Sequence, residues 1–234
     1  MTKTKLAIFD IDGTLTKTNE IDHLCYIDTV QRFIDKRFTT FEAESFTHFT
    51  DSCILIELYK RFLNRPPSAL EEEAFKAYYF NALQESLNNS PNYFQAIDGA
   101  VEIMHAFSDE WAVALATGCW VESAKIKLAG GGVDIGQHPL ATASDAITRQ
   151  DIMLTAVERS KVLHQTNQFE HVVYIGDGMW DKSSCASLAM PFVGMDADND
   201  NYTTGKLGNF HLLANYTNQE RVFQLLEEAI CPVI

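Results

Sequence analysis

Leu6-Ala7-Ile8-Phe9 is a continuous apolar run that stops abruptly at Asp10-Ile11-Asp12-Gly13-Thr14. A short apolar run bounded by turn chemistry predicts a buried parallel strand ending in a loop. The same grammar returns twice. Trp111–Ala116 ends in Thr117-Gly118, and His171–Ile175 ends in Gly176-Asp177-Gly178. Helical periodicity follows the last two runs, over Val121–Leu128 and Ser183–Leu188. Strands alternating with helices predict βαβ units and a parallel sheet covered on both faces. Such folds collect ligands at the carboxyl ends of their strands.

Thr18 to Ile97 reads differently. It has no strand–Gly–helix unit and is dominated by helical spacing, as in Ile27/Val30/Ile34 and Ile54/Ile56/Leu58/Phe62. Pro66-Pro67 and Pro91 divide it, and Ser68 with Glu71 fits a capping box opening a helix to Leu87. We read it as a helical module inserted after the first strand. The α/β pattern resumes at Asp98-Gly99 with a helix predicted over Ala100–Phe107. A short strand is expected around Pro139–Ala143, then a helix over Arg149–Lys161. The tail adds a strand at Phe192–Val193, an Asn/Asp-rich surface loop over Asp196–Asn209 and a helix over Gln219–Ile230.

Composition narrows the partners. The 234 residues hold 18 Lys+Arg against 32 Asp+Glu, a formal charge of −14. Nucleic acid and anionic membranes need a basic footprint, so both are excluded as main partners. A small phosphorylated metabolite is not, because a metal or a few local cations reverse the field. Five cysteines, none in a C-x-x-C pair, read as free thiols in a reducing compartment, with zinc disfavoured. No stretch reads as a secretory signal or approaches the ~20 apolar residues of a membrane span, so a cytoplasmic monomer or homodimer is expected.

The chemistry concentrates at the strand ends. Asp10 and Asp12, two apart at the end of a strand, share one face. Gly13 allows a sharp turn and close approach of a ligand. Buried like charges are costly without a compensating cation, so the pair asks for a hard divalent ion, most simply Mg²⁺. One carboxylate is then free to attack while the other moves a proton. By chance, Asp-x-Asp-Gly-Thr arises on the order of 10⁻³ times in a chain this long. Asp177 lies between two glycines directly after a strand. Asp181 and Thr117 have ordinary readings as helix cap and turn residue, but Asp10, Thr117 and Asp177 all fall where one crevice would gather them.

Asp10-x-Asp12-Gly13-Thr14, Thr117 and Gly176-Asp177-Gly178-x-x-Asp181 resemble motifs I, II and IV of the haloacid dehalogenase-like superfamily, in order and spacing. The resemblance is to members with an α-helical C1-type cap, the phosphoglycolate phosphatase and β-phosphoglucomutase branch. It implies a Rossmann-like core over 1–17 and 98–234 and a helical cap over 18–97. It further implies Asp10 as nucleophile, forming an aspartyl-phosphate, and Asp12 as acid/base. Mg²⁺ would be held by Asp10, the backbone carbonyl of Asp12, Asp177 and, directly or at one remove, Asp181. Thr117 and Gly118 would bind the phosphoryl group.

The motif III cation is the point of departure, since the commoner pattern has Lys. Arg149 opens the helix before motif IV and is preferred; Lys161, near that helix's far end, is the alternative. Specificity would rest with the cap. Asn19, Glu20 and His23 sit at the entrance to it, and Phe49-Thr50-Asp51-Ser52 reads either as a loop facing the crevice or as a plain N-cap for a helix over Cys53–Leu63. Trp120 is a candidate pocket wall, and Cys119 a packing residue. The expected reaction is Mg²⁺-dependent phosphomonoester hydrolysis. A sugar-phosphate mutase, a phosphonatase needing a reactive cap lysine (Lys36 or Lys60) and a silent binding module are the alternatives.

Overall fold

The computed structural model describes residues 3–197, 207 and 211–233. Six parallel strands form one sheet in the order β3-β2-β1-β4-β5-β6. They are β1 (Lys5–Phe9), β2 (Trp111–Ala116), β3 (Leu140–Ala141), β4 (His171–Gly176), β5 (Phe192–Met195) and β6 (Leu212–Leu213). Side chains alternate across a strand, and that alternation divides the interior in two. Leu6 and Ile8 pack with Ala112, Ala114 and Tyr174 on one face, while Ala7 and Phe9 pack with Val113, Leu115, Val173 and Ile175 on the other. Both faces are covered, as the apolar runs predict.

Between β1 and β2 lie helices α1 (Asn19–Phe33), α2 (Asp51–Leu63) and α3 (Ala69–Asn89), and this stretch adds no strand to the sheet. The chain leaves the sheet layer at Thr16 and returns at Ala96, where the two residues form an antiparallel bridge. The Ser68/Glu71 capping box is present. Aromatic side chains join this layer to the sheet: Trp120 is fully buried, stacked on Tyr26 at 5.9 Å and met edge-on by Phe75, Tyr79 and Phe80.

The other helices are α4 (Ala100–Ile103), α5 (Val121–Gly130), α6 (Arg149–His164), α7 (Met179–Leu188) and α8 (Gln219–Glu228). Several bounds differ from expectation. After Ile103 the chain tightens into turns, His105 N–H donating to Glu102 O and Ala106 N–H to Ile103 O, so α4 is shorter than Ala100–Phe107. Strand β3 stops at Ala141 because the Asp145 carboxylate accepts from Thr142 N–H and starts a turn. Helix α7 starts at Met179, ahead of Ser183. Helix α8 ends at Glu228, leaving Ile230 to bridge Phe192. Strand β6, only two residues long, leaves no periodicity to read. Most of the expected loop over Asp196–Asn209 lies outside the described residues. Cys25, Cys53, Cys119 and Cys185 are buried free thiols and Cys231 is exposed. Among the described residues no helix is long and apolar enough to cross a membrane.

Candidate active site

Strand register decides which residues meet. Phe9 pairs with Leu115 on one side and Ile175 on the other, so β1, β2 and β4 end at nearly one level. Asp10, Thr117 and Asp177 are the residues just beyond those ends. Strand β1 is central, with β2 and β4 on opposite sides of it, which is where an open parallel sheet places its crevice. A cavity of about 290 Å³ lies there. Asp10, Asp12, Thr117, Gly118, Arg149 and Asp177 line it, together with Asn19, Thr50 and Asp51 from the helical layer.

Asp10 is buried, and its Oδ1 makes no hydrogen bond. Burial pushes its carboxyl up to about 7; the Arg149 guanidinium pulls the other way, and Asp181 and Asp12 add to the rise. Arg149 Nη1 lies 3.5 Å from Asp10 Oδ2 and 2.7 Å from Asp181 Oδ1. Burial would lower its pKa, but the Asp181 and Asp10 carboxylates hold it well above the usual value. Lys161 is elsewhere, paired with Glu158 on the outer face of α6. Of the two motif III candidates, the geometry brings only Arg149 to the crevice.

Asp181 occupies the first turn of α7, where its Oδ2 accepts from Gly178 N–H at 3.1 Å. It is thus both a cap and the ion partner of Arg149. Carboxylate oxygens of Asp10, Asp177 and Asp181 lie within 4.8 Å of one another. Gly13 has φ +68°, and a Cβ there would collide with the Asp177 carboxylate and the Asn19 amide, so glycine is required beside this cluster. Hard oxygen donors, an orphaned carboxylate oxygen and a backbone cleared around them fit a divalent cation such as Mg²⁺.

Asp12 faces a network the motifs do not announce. Its Oδ1 accepts from Thr18 Oγ1, and its Oδ2 accepts from Cys119 Sγ at 2.8 Å and from Lys127 Nζ at 2.8 Å. Lys127 projects from α5 and is fully buried. It also pairs with Asp22 of α1, which in turn accepts from the Tyr79 hydroxyl. Burial would lower the lysine's pKa, yet Asp12 and Asp22 raise it well above normal. Burial would raise Asp12, yet Lys127, with Cys119 and Thr18, holds it below the usual carboxylate range. Asp12, Asp22 and Cys119 resemble a metal cluster in spacing, but the ammonium already fills it.

The segment Phe49–Ser52 is both things its sequence suggested. Thr50 Oγ1 accepts from Cys53 N–H and caps α2, while the segment itself seats on the crevice. Arg149 Nη2 donates to Phe49 O at 3.2 Å, Thr50 Oγ1 to Ile147 O at 2.7 Å, and Asp51 N–H to Gly118 O at 2.8 Å. Trp120 donates from its backbone N–H to Asp51 Oδ2 and from Nε1 to Ser52 Oγ. Two expectations are corrected. Glu20 is exposed and does not line the cavity, because the face of α1 turned inward is Asn19, Asp22, His23 and Tyr26, at i, i+3, i+4 and i+7. Trp120 is an anchor between layers instead of a wall; Trp180, stacked on Phe49 at 4.4 Å, takes that place, and Cys119 lines the cavity.

The whole arrangement is that of a parallel α/β protein with an acidic crevice at the point where its strand order reverses. The chain belongs to the haloacid dehalogenase-like hydrolase family, whose model matches residues 4–188. Among solved structures it is similar to a hydrolase from Pseudomonas syringae, with TM-score 0.68 and 18% identity over 97% of this chain and 99% of that one. It is also similar to a putative β-phosphoglucomutase from Bacteroides vulgatus (TM-score 0.67, 15% identity, 98% and 91% covered). A predicted phosphoglycolate phosphatase from Haemophilus somnus gives TM-score 0.62 and 14% identity, with 96% and 100% covered. At these identities the likeness is one of fold. A comparison with curated proteins returned no match.

Proposed function

We propose that this hydrolase is a Mg²⁺-dependent phosphomonoesterase acting on a small phosphorylated metabolite, with Asp10 as nucleophile. The observation that carries the reading is Asp10 itself: a cavity-lining carboxylate buried beside Arg149, with Oδ1 unpartnered. In the proposed reaction Asp10 attacks phosphorus, the ester P–O bond breaks, and the departing alcohol takes a proton through Asp12. Lys127 keeps Asp12 ionised in the free protein, and Asp12 receives that proton from the substrate's monoanionic phosphate. Water deprotonated by Asp12 then cleaves the aspartyl-phosphate, so the net change is ester plus water to alcohol plus inorganic phosphate. Arg149 offsets negative charge on the transferred group, and Thr117 and Gly118 orient its oxygens. A cation held by Asp10, the Asp12 carbonyl and Asp177, with Asp181 beside them, would supply the remaining charge compensation.

Residues 18–97 serve in this reading as a lid on the core formed by 1–17 and 98–234, with the Thr16/Ala96 bridge at the hinge. Phosphonatase chemistry is disfavoured because Lys36 and Lys60 are exposed and neither lines the cavity. Lys127, the lysine nearest Asp12, is engaged as an ion-paired ammonium. The test is phosphate release from p-nitrophenyl phosphate with Mg²⁺ and after Asp10→Asn. Metal-dependent turnover lost in the variant supports the reading; metal-independent turnover, or turnover surviving the substitution, refutes it.

A further inference from the structure

The cavity lining also carries chemistry that phosphoryl transfer does not use. Helix α1 and the segment leading to α2 supply His23, Tyr26, Phe41 and Phe49, and Glu42 and Glu44 stand exposed at the rim. His23 and Tyr26 each meet Phe41 in T-shaped contact, at 5.1 and 5.4 Å between centroids. Arg149 is the one Lys or Arg among the described residues lining the cavity, and it is engaged by Asp10, Asp181 and Phe49 O. Lys127 lies behind the wall, matched by Asp12 and Asp22.

The unpartnered Asp10 Oδ1 fixes the end at which a phosphoryl group must sit. A substrate's other end then meets aromatic side chains and carboxylates, with no second Lys or Arg among the described lining residues to receive a second phosphate or a carboxylate. Ring faces and carboxylates attract an ammonium, more strongly where water is partly excluded. At about 290 Å³ the cavity is at the small limit for ligand sites, which leaves room for few atoms beyond the phosphate.

Resting on the phosphatase reading above, we propose that the substrate is the phosphate monoester of a small amino alcohol. Its ammonium group would sit among Tyr26, Phe41, Glu42 and Glu44. Bisphosphates and phosphorylated carboxylic acids would be poor substrates.

Three esters of similar size test this: choline phosphate, its uncharged isostere 3,3-dimethylbutyl phosphate, and phosphoglycolate. With Mg²⁺, kcat/KM is expected to be at least tenfold higher for choline phosphate than for the isostere, and lowest for phosphoglycolate. Calorimetric binding of the same esters to the Asp10→Asn protein should give the same order without turnover. Equal values, or preference for phosphoglycolate, overturn the proposal. In Glu42→Gln/Glu44→Gln protein the choline-to-isostere ratio should fall at least threefold; an unchanged ratio overturns the assignment of the rim. The two layers fail separately. Hydrolysis of p-nitrophenyl phosphate with a reversed ester order sinks the substrate class alone. Absence of hydrolysis with the binding order intact sinks the phosphatase reading and supports the ligand class.

Discussion

Replacing Lys127 by Met isolates the electrostatic contribution of the network around Asp12. Methionine keeps a long unbranched stem, so packing in the fully buried site changes little, while the ammonium is removed. Asp12, 2.8 Å from Nζ, and Asp22 are left facing one another with no cation between them. Removing one partner of a buried ion pair costs about 3–5 kcal/mol. The carboxylates retain some exposure, 14% and 22% of their side chains, which places the expected loss near the low end, ~3 kcal/mol. In a protein of this size each kcal/mol lowers Tm by roughly 2–4 °C, so a fall of about 6–12 °C is expected.

Urea and thermal unfolding at pH 7 without added metal measure it. Because the folded pKa of Lys127 is raised, its contribution is complete below about 10.5 and lost only as pH rises through the folded value. At pH 7 the wild-type protein therefore shows the full effect. Adding Asp22→Asn to the Lys127→Met protein removes one orphaned carboxylate and should restore at least about 1 kcal/mol, although the same substitution alone destabilises. A loss under about 1 kcal/mol in the single variant, or strict additivity in the double, would refute the reasoning.

Arg149→Ala should cut kcat by more than tenfold on any ester that is turned over, whereas Lys161→Ala should stay within about twofold; the reverse pattern, in steady-state kinetics, would exchange their roles. EDTA should remove both turnover and affinity for inorganic phosphate, the latter read by calorimetry, because the carboxylates at the site outnumber Arg149; undiminished phosphate binding in EDTA would contradict this. Burial, with Asp22 nearby, pushes Asp51 up to about 8, so the folded state keeps a proton that the unfolded chain loses near pH 4. Stability should then fall as pH rises from about 4 to about 8, and Asp51→Asn should flatten that part of a Tm–pH curve.

How much of the site is legible in sequence follows from how each residue is placed. Asp10, Thr117 and Asp177 stand directly after apolar runs, so local pattern and strand register together locate them. Arg149 is recognisable because it opens a helix that returns to the same sheet edge. Lys127 is not, since it reaches Asp12 only through the packing of α5 against α3, which in turn packs on α1. Its sequence signal is slight: a lysine on the buried stripe Ala124/Lys127/Leu128, where an apolar residue is expected. Asp22 and Tyr26 share the inward face of α1 with Asn19, and helical spacing from Asn19 finds them, whereas adjacency had pointed to Glu20. Trp180 lies in the first turn of α7, three residues past Asp177, but stacking on Phe49 brings together segments that no local rule connects. The short ends of α4, β3 and β6 are set by turns and tertiary contacts that leave little periodic trace.

The central claim is that Asp10 takes the phosphoryl group from substrate. Rapid acid quench during turnover of a ³²P-labelled ester, followed by peptide mapping, reads this step directly. The account predicts a base-labile phosphoryl group on the peptide containing Asp10, formed with Mg²⁺ and absent from the Asp10→Asn protein. Full turnover with no label on that peptide, or label on another residue, would contradict it.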